Sequence, residues 1–363
     1  MIFTGSYRPQ DVQFLLKPIP VEMIESVADK ERLIQSGARH YSEMLTPERL
    51  PSARYRTLFL DAVASNCDRM ARDCVSLAHA VVERYGPRPT LISLARAGTP
   101  VGVILTHLIR QITSGPVAHY SVSIIRDRGI DANALRHVLA QGHAAESIVF
   151  IDGWTGKGVI TRELHSTIEQ FNASNGTALR PDLFVLADLA GCASYAATSE
   201  DYLIPSSILN ATVSGLVSRS VLNEHVGEDD FHGCVFFEEF ADHDLSVWFV
   251  QQVLERAVPW MQPASMASAP AYDKARVAQT SAAFMRAELT RQGLTDANLI
   301  KPGIGEATRV LLRRQPHCVI VRDRQQACVS HLLALAAEKS VRVEERADLP
   351  YHAAAIIKGV IDA

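Results

Sequence analysis

Residues 148–158 read Ile148-Val-Phe-Ile-Asp152-Gly153-Trp154-Thr155-Gly156-Lys157-Gly158. An uninterrupted apolar run ends in an aspartate, and glycines with one threonine then open a segment with helical periodicity. Glycine lets a backbone close around an anion, and the start of a helix offers unpaired N–H groups at the positive end of its dipole. This stretch therefore predicts a buried strand followed by a phosphate-binding turn, with the Asp152 carboxylate beside it.

The spacing of this turn excludes two common phosphate-binding motifs. A Walker A loop would need glycine where the chain has Ile151, and Ser or Thr where it has Gly158. The dinucleotide spacing GxGxxG is also absent. A strand-to-helix turn whose glycines serve packing alone is the alternative interpretation, and the motif by itself leaves it open.

Further apolar runs flank this turn and alternate with helical segments. The runs at 90–94, 118–125, 147–152 and 182–188 predict strands, and the apolar stripe over 156–171 predicts a helix. Such alternation is typical of a doubly wound α/β protein with a parallel sheet buried on both faces. The first 85 residues predict a mainly helical region, with one long amphipathic helix over 59–85.

Two more turns carry charged residues at the predicted sheet. Ala95-Arg96-Ala97-Gly98 follows the first of these strands, and Arg96 has a guanidinium that can bind phosphate oxygens in a bidentate manner. Arg126-Asp127-Arg128 follows the next strand and is interpreted either as a mobile loop over a ligand or as a solvated surface turn.

Charge divides the chain into two parts that the net charge of −4 conceals. Residues 271–363 contain 14 Lys and Arg against 10 Asp and Glu, a net +4, while the first 270 residues carry a net −8. The uncharged, proline-rich stretch at the boundary predicts a linker. We therefore predict a domain over 1–258, a linker over 259–272 and a basic domain over 273–363.

The six cysteines form no CxxC pair, and no apolar run is long enough to span a membrane. No secretion signal is recognisable at the first residues. We expect reduced thiols in a cytoplasmic protein without membrane association. The histidines and acids of 224–244 match no tight metal-ligand spacing, so no protein metal cage is expected.

The whole chain resembles the bacterial phosphoribosyltransferase-like family of tellurium-resistance-type stress operons, which ends in a Pelota-type RNA-binding domain. The runs that carry this resemblance are His40–Leu45, Ser93–Pro100, His119–Tyr120, Ser123–Asp131, Asp152–Gly158, Asp201–Asn210 and Val213–Arg219. It implies a type I phosphoribosyltransferase-like fold for the first domain, with a phosphoribosyl group transferred to, or removed from, a base-like acceptor. In the second domain, residues 300–358 predict the order helix, strand, helix, strand, helix, a small α/β fold similar to Pelota and L7Ae domains.

The resemblance also implies roles for individual residues. Phosphoribosyl pyrophosphate (PRPP), or a phosphoribosyl nucleotide, would bind with its 5′-phosphate on 152–158. The diphosphate, carrying Mg²⁺, would bind on 95–98. Asp152 and Arg96 would be catalytic, and 126–128 would be the flexible loop. The expected acceptor residues are Asp188, Asp201, Tyr202 and Arg219. The expected RNA-binding residues are Lys301, Gly303, Gly305, Arg309, Arg313 and Arg314. The family usually has two adjacent acids where this chain has Asp152 followed by Gly153, and a homodimer is left open.

Two rival functions remain. Members of the family are also described as stress-induced cysteine proteases, and Cys192, with His119 or His165 as a base, is the best-placed nucleophile candidate. A buried, inert thiol is the alternative interpretation of Cys192. The second rival is a non-catalytic PRPP or nucleotide sensor that controls RNA binding, and Gly153 is the residue that favours it.

Overall fold

The computed structural model describes residues 3–261 and 272–358. In chain order, its strands are β1 (Gln13–Leu15), β2 (Lys17–Pro18), β3 (Thr90–Ala95), β4 (Ala118–Ile125), β5 (Gly129–Ile130), β6 (Ile148–Thr155), β7 (Leu183–Asp188), β8 (Tyr195–Thr198), β9 (Gly233–Cys234), β10 (Ile300–Pro302), β11 (Pro316–Val321), β12 (Arg342–Glu345) and β13 (Ala353–Ile357). Its α-helices are α1 (Val27–Gln35), α2 (Ala53–Tyr85), α3 (Thr99–Thr113), α4 (Ala132–Ala140), α5 (Val159–Asn175), α6 (Ser246–Ala257), α7 (Lys274–Gln292), α8 (Ile304–Arg313) and α9 (Ser330–Glu338). The predicted linker at 259–272 lies mostly outside the described residues.

The main sheet has the strand order β1-β4-β3-β6-β7-β8, and every pairing along that path is parallel. Strand β5 adds an antiparallel pairing to β4. Helices lie between β3 and β4, between β4 and β6 and between β6 and β7, whereas the parallel strands β7 and β8 are joined by a short loop at 189–194. The predicted α/β architecture with a parallel sheet is confirmed.

Both faces of this sheet are buried under helices. Successive side chains of a strand point to opposite faces, so each central strand contributes to two cores. In β6, Val149 and Ile151 pack into the core beneath α2, α3 and α6, whereas Ile148 and Phe150 pack into the core beneath α4 and α5. Alternation of this kind accounts for the uninterrupted apolar runs of the sequence.

The region before α2 is less helical than predicted. It contains one helix of nine residues, α1, and two short strands. Strand β1 pairs with β4 and forms the edge of the main sheet, where Phe14 and Leu15 are buried. Such a short apolar segment has no helical periodicity to distinguish it, so its strand pairing depends on the neighbouring β4. Helix α2 is confirmed and begins six residues earlier than predicted, with the Ser52 hydroxyl accepting from Tyr55 N–H.

Strand β6 continues to Thr155, and α5 begins at Val159. Asp152 therefore lies within the strand, not at its end as predicted. Pairing with β7 extends as far as Thr155 opposite Asp188, and the Thr155 hydroxyl donates to the Asp188 carboxylate. Gly158 has φ +75° and forms the turn into the helix, a conformation that favours glycine.

The second sheet, in the tail domain (273–358), has the order β10-β13-β11-β12. Residues 353–357 form strand β13 where the sequence analysis predicted a final helix. Ala353-Ala-Ala-Ile-Ile favours a helix by propensity. The segment nevertheless pairs on both edges, with β10 and β11, and all five residues are buried. The small alanines leave room for α8, which packs on this strand.

Asp201 joins the body (3–258) to the tail domain. Its buried carboxylate accepts hydrogen bonds from the backbone N–H groups of Ile304 at 2.8 Å, His352 at 2.9 Å and Ala353 at 3.3 Å. One body carboxylate therefore caps the start of α8 and also binds the start of β13. This contact fixes α8 against the carboxyl edge of the main sheet.

We expect Asp201→Ala to lower the free energy of unfolding by about 1–3 kcal/mol, because it leaves buried N–H groups without an acceptor. Urea denaturation of the full chain measures this change. Asp348→Ala, at an exposed position of the tail domain, is the control and should be neutral. Equal stability of the two variants would contradict the role given to Asp201.

Candidate active site

A cavity of about 600 Å³ lies where the β6–α5 turn faces α1 and α8. Its volume is within the usual range of small-molecule sites. Eight basic residues line it, against four acidic ones. The basic residues are Lys30, Arg126, Lys157, Arg219, Lys301, Arg309, Arg313 and Arg314, and the acidic ones are Glu31, Asp152, Asp296 and Glu306. This excess of positive charge suits a ligand with several negative charges.

The residues predicted to bind a 5′-phosphate line this cavity, with the exception of Gly153. Thr155 to Gly158 form the turn before α5, so the first N–H groups of that helix face the cavity. The Lys157 ammonium donates to the carbonyl oxygen of Ala297 at 2.6 Å, which ties the turn to the tail domain. The arrangement is suited to binding a phosphate group.

Asp152 and Trp154 lie on one face of β6, since side chains two residues apart share a face. The pKa of Asp152 is raised to about 7, mainly by burial and in smaller part by the negative charge of Glu306. The hydrogen bond from Gly153 N–H, at 2.8 Å, and the positive charge of Arg309 oppose this shift. The carboxylate is thus poised to change its ionisation near neutral pH.

The loop at 95–98 contributes Ala97 to the cavity but not its arginine. Ala97 lines the cavity, and a Cβ atom on Gly98 would lie 2.5 Å from the Ile151 carbonyl oxygen. Glycine therefore allows this loop to pack against β6. The Ala95–Arg96 peptide bond is cis.

Arg96 is occupied by protein groups. Its guanidinium bonds to the Glu48 carboxylate at 2.6 Å, the Val217 carbonyl at 2.7 Å and the Asn210 side-chain oxygen at 3.0 Å. Only 15% of the side chain is exposed, and it is not among the residues that line the cavity. The structure corrects the prediction of a catalytic, diphosphate-binding Arg96 side chain, because this arginine holds the loops at 210–217 in place.

Residues 126–128 form the tight connection between β4 and β5. Arg126 lines the cavity, its N–H donates to the Tyr41 hydroxyl at 2.8 Å, and its guanidinium lies 5.1 Å from the Tyr41 ring centre. Asp127 N–H donates to Glu163 at 2.9 Å, and Arg128 lies 3.4 Å from Glu43. Arg126 brings this loop to the edge of the cavity, and the role of 126–128 as a flexible loop stays a prediction.

Three of the four predicted acceptor residues have structural roles, which corrects that prediction. Asp201 joins the two domains, as described above. Asp188 is fully buried and accepts from Thr155, Tyr272 and three backbone N–H groups of the turn after β7. Tyr202 is buried, and the guanidinium carbon of Arg69 lies 4.2 Å from the centre of its ring. The ring is therefore covered and cannot stack on a ligand. Arg219 alone of this set lines the cavity.

The residues predicted to bind RNA face the body instead of forming a solvated basic surface. Lys301, Arg309, Arg313 and Arg314 all line the cavity. Arg313 donates to the carbonyl oxygens of 207–209, and Arg314 forms an ion pair with Glu31 of α1 at 2.6 Å. Gly303 and Gly305 lie at the contact with the body, near Asp201 and Ser207.

Several lining residues were not predicted from the sequence, among them Lys30 of α1, Tyr41 and Glu306. The run His40–Leu45 carried the family resemblance, and this was the one signal that pointed to Tyr41. Lys30 and Glu306 lay in segments predicted as helices, where charged residues are ordinarily solvated. Their role depends on how α1 and α8 pack across the turn.

The six thiols do not show the environment of a catalytic cysteine. Burial raises the pKa of Cys192, and the nearby Asp188 carboxylate raises it further. Its sulfur lies 3.2 Å from the Thr161 hydroxyl. The ring nitrogens of His119 bind Ser93 and the Asp11 carbonyl, both at 2.8 Å. His165 is exposed.

The described residues contain no group of three or more His, Cys, Asp or Glu that could hold a metal. In the same residues, no helix has the length and hydropathy needed to cross a bilayer. Substrate-borne Mg²⁺, a cytoplasmic location and a homodimer all stay predictions.

The fold and the cavity define an α/β protein with a predominantly basic cavity between its body and its tail domain. The family described as tellurite-like stress resistance cysteine protease StiP matches residues 5–254, and the chain belongs to this family. The Acinetobacter baylyi protein named cysteine protease StiP is 40% identical over 331 residues, covering 88% of this chain and 85% of that protein. The PELOTA RNA binding domain family matches residues 279–359.

Among solved structures, similar chains include phosphoribosyltransferases. The Helicobacter pylori xanthine-guanine-hypoxanthine enzyme has a TM-score of 0.26 and 15% identity over 35% of this chain and 78% of its own. The Trypanosoma cruzi hypoxanthine enzyme, in complex with the product IMP, has a TM-score of 0.28 and 13% identity over 52% of this chain and 89% of its own.

Lys157 should make anion binding depend on pH. Burial lowers its pKa to about 7, with Lys301 and Arg126 lowering it and Asp296 and Glu306 raising it. A bound anion stabilises the charged ammonium, so binding takes up a proton and weakens as the pH rises from 7 to 9. We expect the affinity for sulfate, measured by titration calorimetry, to fall over this range.

In Lys157→Arg, the loss of sulfate affinity between pH 7 and pH 9 should be about 10-fold smaller than in the wild type. A guanidinium stays charged throughout this range. Ionisation of Lys30, whose pKa burial lowers to about 8, and of Asp152 affects both proteins and leaves a residual slope. Parallel curves for the wild type and the variant would contradict the assignment to Lys157.

Proposed function

We propose that this protein is a stress-response enzyme that binds PRPP, or a related phosphoribosyl compound, in the cavity and transfers its phosphoribosyl group to, or removes it from, a base-like acceptor. The observation that carries the proposal is the turn at 155–158 with Asp152 beside it, opening into a cavity with twice as many basic as acidic side chains. The parallel sheet that positions the turn supports the same function.

In this proposal, the N–H groups at the start of α5 bind the 5′-phosphate and Asp152 binds the ribose. The backbone at Ala97 and the guanidinium of Arg126 face the diphosphate, which carries its own Mg²⁺. The turn and Ala97 line one cavity, so a single ligand can contact both. Tyr41 and Trp154 are the aromatic side chains available to an acceptor base.

The transfer breaks the bond from ribose C1′ to the diphosphate oxygen, and diphosphate leaves with both electrons. The acceptor nitrogen forms the new bond to C1′ and loses its proton to solvent or to diphosphate. Positive charge develops on the ribose between these events, and the Asp152 carboxylate stabilises it. Because burial raises the pKa of Asp152 to about 7, the rate should rise as the pH increases through that value.

The rival functions are weaker on specific grounds. A cysteine protease matches the name of the relative from Acinetobacter baylyi, but a thiol whose pKa is raised, as that of Cys192 is, is a poor nucleophile. A PRPP sensor shares the proposed binding site and differs only in turnover.

The test is PRPP-dependent release of diphosphate by the full chain with a panel of purine and pyrimidine bases. We expect Asp152→Asn to lower the rate by about 100-fold or more, because it removes the charge next to the reacting ribose. Cys192→Ala, the control at a residue outside the cavity, should keep the rate.

Other outcomes separate the rivals. PRPP binding without diphosphate release for any base would contradict transfer and favour the sensor. Hydrolysis of casein that is lost in Cys192→Ala and kept in Asp152→Asn would overturn the phosphoribosyl proposal.

We propose RNA binding by the tail domain as a second function, supported by its match to the PELOTA RNA binding domain family. The basic residues expected to bind RNA phosphates are the same ones that line the cavity where the tail domain contacts the body. RNA and the phosphoribosyl ligand would therefore compete for these side chains.

A fluorescently labelled RNA hairpin with an internal bulge tests this function by anisotropy. We expect binding that weakens in Arg309→Ala and is reversed by PRPP. RNA binding that PRPP and Arg309→Ala leave unchanged would contradict the shared surface.

A further inference from the structure

Gly153 follows Asp152 directly, at the position where the sequence resemblance implies a second acid. A glycine is not required there by space, since a Cβ atom would meet only the Ala97 carbonyl oxygen, at 3.6 Å. Strand β6 therefore presents a single carboxylate, Asp152, to a ribose that offers two neighbouring hydroxyls, and the other cavity acid of the body, Glu31, is paired with Arg314. A second carboxylate must come from elsewhere if both hydroxyls are to be bound in this way.

The tail domain brings a carboxylate to the same place. Glu306, in the first turn of α8, lines the cavity together with Asp152, and its oxygen accepts from the Trp154 indole N–H at 3.3 Å. Trp154 shares its face of β6 with Asp152. The Glu306 side chain also passes near the phosphate-binding turn, because a Cβ atom on Gly156 would lie 3.7 Å from its Cγ.

Glu306 remains partly accessible and keeps its charge. One fifth of its side chain is exposed. The positive charges of Arg309, 2.9 Å away, and of Lys301 lower the pKa of Glu306 despite its burial. Burial instead raises the pKa of Asp152, so the two carboxylates differ in ionisation near neutral pH. Glu306 can accept hydrogen bonds under conditions in which Asp152 is half protonated.

We propose that Glu306 binds a ribose hydroxyl beside Asp152, so that the tail domain supplies the second carboxylate that Gly153 leaves missing from the body. This inference rests on the proposed function, because it concerns the same phosphoribosyl ligand. It makes the tail domain part of the binding site, with Asp201 holding α8 in the position that the site needs.

The test compares PRPP with inorganic diphosphate, which lacks the ribose. Glu306→Gln retains an oxygen that can accept from Trp154 but removes the negative charge. We expect PRPP binding by the full chain, measured by titration calorimetry, to weaken about 10- to 100-fold, because a hydrogen bond to a charged acceptor is lost. Inorganic diphosphate should bind as well as before or more tightly, since an acid has left a basic cavity.

Asp296→Asn is the matched control. Asp296 is another cavity acid of the tail domain, and its carboxylate accepts from Asn298 N–H at 2.8 Å, a bond that asparagine can replace. We expect both ligands to bind Asp296→Asn with equal or higher affinity. Weaker binding of PRPP without weaker binding of diphosphate should thus be confined to Glu306→Gln.

Two failures are distinguishable. If the wild type does not bind PRPP, the proposed function is wrong. If the wild type binds PRPP and Glu306→Gln changes the affinities for PRPP and diphosphate in the same direction, Glu306 acts only through its charge and the inference is overturned.

Discussion

The structure depends on the positive charge that is held in the cavity between the body and the tail domain. Eight basic side chains line a cavity with four acidic ones, and all eight are partly buried. Burial lowers the pKa of Lys157 to about 7, so the ammonium form of this residue is destabilised in the empty protein. Burial also lowers the pKa of Arg313, to about 9, which leaves its guanidinium charged at neutral pH. A polyanionic ligand would offset this penalty. Both the body and the tail domain contribute basic side chains to the cavity.

The same charges explain why the tail domain docks where it does. Arg314 pairs with Glu31 of α1, and Arg313 donates to the carbonyl groups of 207–209. At Asp201 the charges are reversed, because here the body contributes the acid. Its carboxylate lies at the start of α8, where the helix dipole favours negative charge. These contacts place the basic face of the tail domain over the β6–α5 turn.

The sequence predicted the features that depend on local patterns. Apolar runs identified the central strands, and the glycine-rich segment after Asp152 identified the turn, because strand burial and helix initiation leave a signature within about ten residues. Features set by distant contacts were missed. Strand β13 forms from an alanine-rich segment because β10 and β11 bind both its edges. Arg96 lies away from the cavity because Glu48 and Asn210 approach it from far along the chain.

The basic tail-domain residues predicted to bind RNA line the cavity that faces the body, and RNA binding by them stays a prediction. A charge pattern indicates a preference for anions and not which surface the side chains face, which only the docking of α8 determines. Asp188 and Asp201 were predicted to contact a ligand. In the structure their carboxylates instead accept hydrogen bonds from backbone N–H groups of the protein.

A crystal structure of the full chain with ribose 5-phosphate tests the central claim most directly. The account predicts the phosphate at the N–H groups of 156–158, with the ribose hydroxyls between the carboxylates of Asp152 and Glu306. Ribose 5-phosphate bound elsewhere, or a cavity that stays empty at saturating ligand, would contradict it.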